Sequence, residues 1–377
     1  MSPDPFQRVC QQAVPGRHPG YAPVVKGLIL AGGLGSRLRP VTHTRSKQLI
    51  PVANKPILFY GLEAIAQAGI EDVGIVVGDT EEEIRGALGD GSRWGLRISY
   101  VRQESPLGLA HAVLTAQEYI GDEDFVMYLG DNLVPEGIGG FVRAYEQNRP
   151  SAQIFLVKVP EPERFGVAVL EGNRVVQLVE KPKEHISDLA LAGVYIFNPS
   201  IFKAASSIQP SWRGELEITD AIQYLITHGY DVRAEMITGW WKDTGKLEDL
   251  LEANQILLDQ RGGDVRGEVD EQSHLVGEVV CEEGAVVQES VIRGPSIIGK
   301  GATIVRSILG PYVSVYENTR IEDSEIQNSI IMEDCEISEV RRMSDSLIGK
   351  STRIGKDKGQ PAVYQFMVGD SSEISIP

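Results

Sequence analysis

The chain has 377 residues, 42% of them hydrophobic, which is ample for one large or two ordinary buried cores and excludes general disorder. Its 53 acidic against 36 basic residues give a formal charge of −17, which argues against nucleic acid or an anionic membrane as the main partner; an anionic substrate must meet locally gathered Lys and Arg. Cys10, Cys281 and Cys335 stand far apart with no metal-ligand spacing, and no apolar run reaches the roughly 20 residues of a membrane helix, so a reducing cytoplasm fits better than an export route, a disulfide framework or a zinc site.

Residues 1–25 carry five prolines and neither an apolar period nor a signal-peptide core, and they read as a loose tail. Val24 or Val25, directly before the first strand, is a candidate translation start. From residue 26 to about 260, short β-branched runs alternate with helical patterns. Strands are predicted at 27–30, 74–77, 98–101 and 125–129, and helices at 56–68, 81–88 and 109–119, the mark of a doubly wound, mostly parallel α/β sheet. Ligands of such sheets sit beyond the carboxyl ends of the strands. Segments 153–159, 166–170, 174–179 and 191–197 look more antiparallel, with a turn at Glu171-Gly172-Asn173, and suggest a hairpin layer able to cover a substrate. A helix at 247–258 ends near Arg261-Gly262-Gly263, a domain boundary.

Beyond it the period becomes six. Val280, Val286, Ile292, Ile298 and Ile304 are evenly spaced; the series shifts to Leu309, Val315 and Ile321 and returns at Ile331, Ile337, Ile348 and Ile354. Small residues stand four places on, as at Gly284, Ser290, Ser296, Ala302, Thr319, Cys335 and Thr352. A strict six with an aliphatic residue and a small one in alternate corners predicts a parallel β-helix. The expected organisation is a tail at 1–25, an α/β domain at 26–262 and a β-helix at 263–377, the last read as a structural or oligomerising stack.

The first strand runs into Gly32-Gly33-Leu34-Gly35-Ser36-Arg37. Glycines let backbone N–H groups turn onto phosphate oxygens, and Arg37 adds a permanently ionised fork. The loop lacks the Gly-Lys-Ser/Thr of a Walker A motif and the spacing of a dinucleotide fingerprint, so alone it is also compatible with a purely structural turn. Gln103 ends a strand before the Gly108 turn, where a carboxamide can read a pyrimidine edge or simply stabilise the turn. Asp131 and Asp243 each follow a strand, and carboxylates of this kind suit Mg2+ or an ordinary turn. Lys47 and Lys55 read alone as solvated charges, and Glu81-Glu82-Glu83 as the acidic first turn of a helix. The six histidines have no metal-ligand spacing and no Ser/His/Asp set occurs, so nucleophilic catalysis by the protein is not expected.

With Ser46-Lys47-Gln48-Leu49-Ile50-Pro51-Val52-Ala53-Asn54-Lys55-Pro56, Gly89-Asp90-Gly91-Ser92-Arg93-Trp94-Gly95, Gly214-Glu215-Leu216-Glu217-Ile218-Thr219-Asp220 and Trp241-Lys242-Asp243-Thr244-Gly245, the chain resembles the sugar nucleotidyltransferases from residue 26 to about 254. It is most similar to their glucose-1-phosphate thymidylyltransferases, in the long form with a left-handed β-helix. The resemblance implies that Gly32, Gly33, Leu34, Gly35, Ser36, Arg37 and Gln48 hold the nucleotide, with Gln103, Pro106, Gly108, Leu109 and Asp131. Asn132, Phe165, Gly166, Glu180, Lys181, Leu191, Tyr195 and Arg213 would hold the sugar phosphate, with Asp131 and Asp243 on Mg2+. Arg37, Lys47 and Lys181 would then carry the charge of the reaction. Phe165 departs from the Tyr common in short relatives, which removes a hydroxyl and keeps the ring.

The implied reaction joins dTTP and glucose 1-phosphate to dTDP-glucose and pyrophosphate, in a cytoplasmic homo-oligomer serving deoxysugar and antibiotic biosynthesis, with no nucleic acid or membrane partner. UTP or another sugar 1-phosphate is the alternative within the class. A non-catalytic regulatory subunit of the same layout, and an acetyltransferase activity on the β-helix, are the alternatives outside it.

Overall fold

The computed structural model of the protein describes residues 25–356 except Leu34, Thr44 and Asn173. Residues 1–24 of the expected tail, Leu34 of the glycine loop and residues 357–377 lie outside the described residues, while Val25, counted in the tail, is buried and opens the first strand. Nine strands form one sheet: β1 (Val25–Leu30), β2 (Asp72–Val77), β3 (Arg97–Arg102), β4 (Asp124–Leu129), β5 (Ala152–Lys158), β6 (Gly166–Glu171), β7 (Arg174–Glu180), β8 (Leu189–Phe197) and β9 (Val232–Met236). Their spatial order is β3-β2-β1-β4-β8-β5-β9-β7-β6. The first four run parallel, and β8 lies antiparallel to both β4 and β5. The predicted hairpin β6–β7 is antiparallel and extends this same sheet at its edge, where the sequence suggested a separate covering layer. Two pairings splice the hairpin in: β9, a strand the sequence did not reveal, pairs with both β5 and β7, and β6 pairs back onto β8 at Val167 and Ala190.

Helices α1 (Ile57–Gln67), α2 (Glu81–Leu88), α3 (Leu109–Thr115), α4 (Gln117–Ile120), α5 (Gly139–Asn148), α6 (Ser200–Ser207), α7 (Ile218–Thr227) and α8 (Leu247–Asp259) complete the first region. The helix expected at 109–119 breaks at Ala116, whose ψ of 2° leaves the α region. Strand alternation divides the core. Leu28, Leu30, Phe125 and Met127 face one layer and Ile29, Ala31, Val126 and Tyr128 the other, all buried, and each large side chain contributes roughly 1.5–3 kcal/mol. None of the described helices is long and apolar enough to cross a membrane.

From Asp264 onward, short strands stack into three parallel sheets of six, six and four strands, a parallel β-helix. Val280 pairs with Ile297, and Ile297 with Ser314, so one coil takes 17 residues and one of its three sides is a residue short of six. This corrects the start of the hexad series: the inward seats are Cys281 and Val287, while Val280 faces outward against α8. From Ile292 the inward residues follow the series as read. Ser290, Ser307 and Ser324 form a ladder in which each hydroxyl accepts the backbone N–H one coil further on, at 3.0–3.1 Å.

Leu250, Leu257 and Leu258 of α8, with Ile50, Val52 and Ala53, pack onto the outer face of the coil around Val280, Ile297 and Ile330. The α/β region and the β-helix therefore share a core.

Candidate active site

The glycine loop leaves β1 and closes in a short 3-10 turn at Ser36–Leu38 rather than entering a helix. Gly35 has φ +61°, a conformation costly for other residues, and a side-chain carbon there would stand 3.0 Å from both Lys47 Cβ and Thr42 Cγ2. That close approach brings Lys47 against the loop. The segment carrying Lys47 is itself held: the Ser46 N–H donates to Glu83 Oε2 at 2.6 Å, and Ser46 Oγ to the buried Gln48 Oε1 at 2.6 Å. Glu83 also meets Arg45, so one carboxylate of the predicted acidic turn is a loop anchor. Lys55 is not the solvated charge expected; it is half-buried, 2.6 Å from Glu63 and 3.8 Å from the Tyr60 ring centre, because α1 lays both beside it.

β4 delivers Asp131 at its carboxyl end, buried and ion-paired with Lys47. Asp243 arrives through a two-residue antiparallel pairing of Lys242–Asp243 with Asn132–Leu133, in register Asp243 to Asn132. Thr244 fastens the junction, its hydroxyl donating to the Asp131 carbonyl at 2.7 Å. The two carboxylates thus meet across more than a hundred residues of sequence.

Their electrostatics differ. Burial raises the Asp131 carboxyl, but the Lys47 ammonium outweighs it and holds the group below the usual range. Burial, with the Asp131 charge added, pushes Asp243 up to about 6. Arg37 completes the cluster: a carbon built on Gly245 would stand 3.2 Å from both Arg37 Nη2 and Asp243 Oδ2. Among the described residues no three or more His, Cys, Asp or Glu gather as a metal cage. Two carboxylates at one cleft still fit Mg2+, which keeps waters and takes further oxygens from substrate phosphates.

Two clefts open on either side of this cluster and share Gly33, Ser36, Lys47 and Asp131 in their walls. One, of about 340 Å³, has apolar sides of Leu30, Val76 and Ala112 and reaches Gly32, Gln48, Gln103, Pro106, Gly108 and Leu109. The other, of about 380 Å³, is polar and takes in Arg37, Asn132, Phe165, Gly166, Glu180, Lys181, Leu191, Tyr195, Arg213 and Asp243. Every described residue that the resemblance implied for the site therefore lines one cleft or the other.

Within the polar cleft, Glu180 accepts from Thr219 Oγ1 at 3.2 Å and lies 3.5 Å from Arg213 and 3.7 Å from Lys181. Burial, with Glu217 nearby, raises its pKa in spite of those two cations. Phe165 meets Trp241 edge to face at 5.5 Å, and Trp241 donates to Asn132 Oδ1 at 2.8 Å.

Sequence reasoning missed Trp241, Thr219, Glu217 and Asp249 as parts of the site. Asp249, on α8, holds Lys242 at 3.2 Å and Arg164 at 3.1 Å, next to Asp243 and Phe165. Thr219 and Glu217 stand inside the Gly214–Asp220 motif, which was the available signal; Asp249 had none beyond the acidic first turn of its helix.

The Nucleotidyl transferase family matches residues 26–260. A glucose-1-phosphate thymidylyltransferase of Streptomyces griseus is 52% identical over 353 residues, covering 93% of this chain and 99% of the relative. A crystal structure from Bacillus anthracis, named for a glucose-1-phosphate thymidylyltransferase and holding sucrose, superposes with a TM-score of 0.60 at 34% identity, covering 64% of this chain and 98% of its own. A UDP-glucose pyrophosphorylase with UDP-glucose bound gives 0.58 at 29% identity, over 63% and 99% of the respective chains.

Proposed function

The chain belongs to the nucleotidyl transferase family, and from that premise we propose that it is a magnesium-dependent glucose-1-phosphate thymidylyltransferase, making dTDP-glucose and pyrophosphate from dTTP and glucose 1-phosphate. The observation that carries this reading is the pair of clefts, one apolar-walled and one polar, meeting at Lys47 and Asp131 with Arg37 and Asp243 alongside. A base and deoxyribose suit the first and a sugar suits the second, so the phosphates of both substrates converge where the cations gather. The domain limits at 26–262 and 263–377 belong to the same reading.

The chemistry is a direct displacement. A phosphate oxygen of glucose 1-phosphate forms a bond to the α-phosphorus of dTTP, the bond from that phosphorus to the α–β bridging oxygen breaks, and pyrophosphate leaves with the electron pair. Both reactants are anions, so catalysis is positioning and charge neutralisation. Lys47 and Arg37 receive the departing pyrophosphate, Lys181 and Arg213 aim the attacking phosphate, and Glu180 accepts from sugar hydroxyls. Asp131 and Asp243 would hold Mg2+, which when bound supplies charge neutralisation at the reacting phosphates.

UTP is the second reading, favoured by the likeness to a UDP-glucose pyrophosphorylase. One methyl group in an apolar wall is worth only about 1 kcal/mol, so use of both pyrimidines is expected, with dTTP preferred. Pyrophosphate release measured across dTTP, UTP, GTP, CTP and ATP against several sugar 1-phosphates tests the assignment. The greatest kcat/KM is expected for dTTP with glucose 1-phosphate, and a purine preference would overturn it.

A further inference from the structure

Gln103 directly follows β3 in the wall of the apolar-sided cleft and is 8% exposed. A carboxamide can offer a base either its N–H groups or its carbonyl, and which it offers depends on what holds it from behind. Here Nε2 lies 2.9 Å from His111 Nδ1 and 3.4 Å from the carbonyl oxygen of Gly108, so both amide protons are directed into the protein. With Nε2 donating, His111 Nδ1 accepts, and the imidazole proton sits on its Nε2. No hydrogen bond from the described residues reaches Gln103 Oε1, which faces the glycine loop: a carbon built on Gly32 would stand 3.4 Å from it. Turning the amide over would set Oε1 against the Gly108 carbonyl, an acceptor in every case, and against His111 Nδ1 in the tautomer that accepts. From this side chain the cleft meets an acceptor and no donor.

We propose that His111 is a specificity-positioning residue, which by holding the Gln103 amide in this orientation selects bases with a proton on N3, as thymine and uracil have, against cytosine, whose N3 is a bare lone pair and whose N–H on that edge belongs instead to its 4-amino group. The proposal rests on the reading that a nucleoside triphosphate occupies this cleft. His111 is placed for the task by the first turn of α3, which starts directly after Gly108 and carries the imidazole back over the end of β3. The device does not register the 5-methyl group, so it separates uracil-like from cytosine-like bases and leaves dTTP against dUTP to the apolar walls.

The test compares dUTP with dCTP, which share a sugar and lack the methyl, by pyrophosphate release with glucose 1-phosphate in the full-length enzyme and in His111→Leu. In the variant the amide is free to turn, and the dUTP:dCTP ratio of kcat/KM is expected to fall by about tenfold or more while the dTTP:dUTP ratio holds. Each ratio is taken on one preparation and is independent of the fraction folded. His111→Asn, whose Oδ1 still offers an acceptor, is expected to retain more of the discrimination. Parallel losses for dUTP and dCTP in His111→Leu, with the ratio unchanged, would overturn the proposal. A wild-type enzyme that releases pyrophosphate from none of these pyrimidine triphosphates would instead overturn the underlying reading, and the proposal with it.

Discussion

Asp131 and Asp243 sit at one cleft but are displaced in opposite directions, and each displacement has a measurable consequence. Asp243 folds with a pKa of about 6 against an unfolded value near 3.8, so between those limits the folded protein holds a proton that the unfolded chain has lost. Its contribution to stability is therefore full below about pH 4 and lost as pH rises through 6. In metal-free protein, Asp243→Asn should raise stability at pH 7.5 by roughly 1–3 kcal/mol and flatten the fall between pH 4 and 6, as read by urea denaturation at several pH values. A steeper fall in the variant would contradict the electrostatic picture. Asp131→Asn replaces a carboxylate proposed to hold Mg2+ with a neutral amide and should lower turnover by about tenfold or more at limiting Mg2+; unchanged turnover there would remove the metal assignment. At Gly166 the constraint is steric. A methyl group would stand 2.5 Å from Thr219 Cγ2, 2.7 Å from Leu191 Cδ1 and 3.1 Å from Glu180 Oε2. Gly166→Ala should therefore raise KM for glucose 1-phosphate several-fold and leave KM for dTTP nearly unchanged, at a stability cost of about 1–3 kcal/mol.

At the scale of elements, α8 joins the two regions through Asn254, which is fully buried. Its Oδ1 accepts from the Ala53 N–H at 2.8 Å and from Ser314 Oγ at 2.6 Å, and its Nδ2 donates to the Tyr312 carbonyl at 3.3 Å. Asn254→Ala leaves a buried N–H without an acceptor and should cost about 2–3 kcal/mol in chemical denaturation, where a surface asparagine would cost almost nothing. The strands at 27–30, 74–77 and 125–129 were legible because buried parallel strands are continuous β-branched or aromatic runs. Helix α5 escaped because it opens on Gly139-Gly140 and carries Arg143, Glu146, Gln147 and Asn148 on its exposed face. The pairing of Lys242–Asp243 with Asn132–Leu133 escaped for a stronger reason: two residues have no period, and nothing local marks their partners. Asp131 and Asp243 were accordingly legible from the local pattern only as separate strand-end carboxylates, and their meeting was implied by the family resemblance alone. The β-helix was legible as a six-residue repeat, while the five-residue step from Val287 to Ile292 hid the first two inward seats.

Taken whole, the molecule sets a strongly anionic chain around a cleft whose cations are interleaved with the carboxylates of Asp131, Glu180, Glu215, Glu217 and Asp243. Against a net charge of −17, Arg37, Lys47, Lys181 and Arg213 gather on the walls of one polar cleft, which is where two anionic substrates must meet. The sheet supplies the strand ends, the hairpin β6–β7 brings Gly166 and Glu180 to the polar cleft, and α8 ties the first region to the coil through a shared core. Joining of a nucleoside triphosphate to a sugar 1-phosphate by direct displacement at one site is tested most directly by following the phosphorus atoms by 31P NMR in a mixture of enzyme, Mg2+, dTTP and glucose 1-phosphate. Equimolar dTDP-glucose and pyrophosphate should appear together, and neither when glucose 1-phosphate is left out. Pyrophosphate released without the sugar phosphate, or a mixture that stays unchanged, would contradict the account.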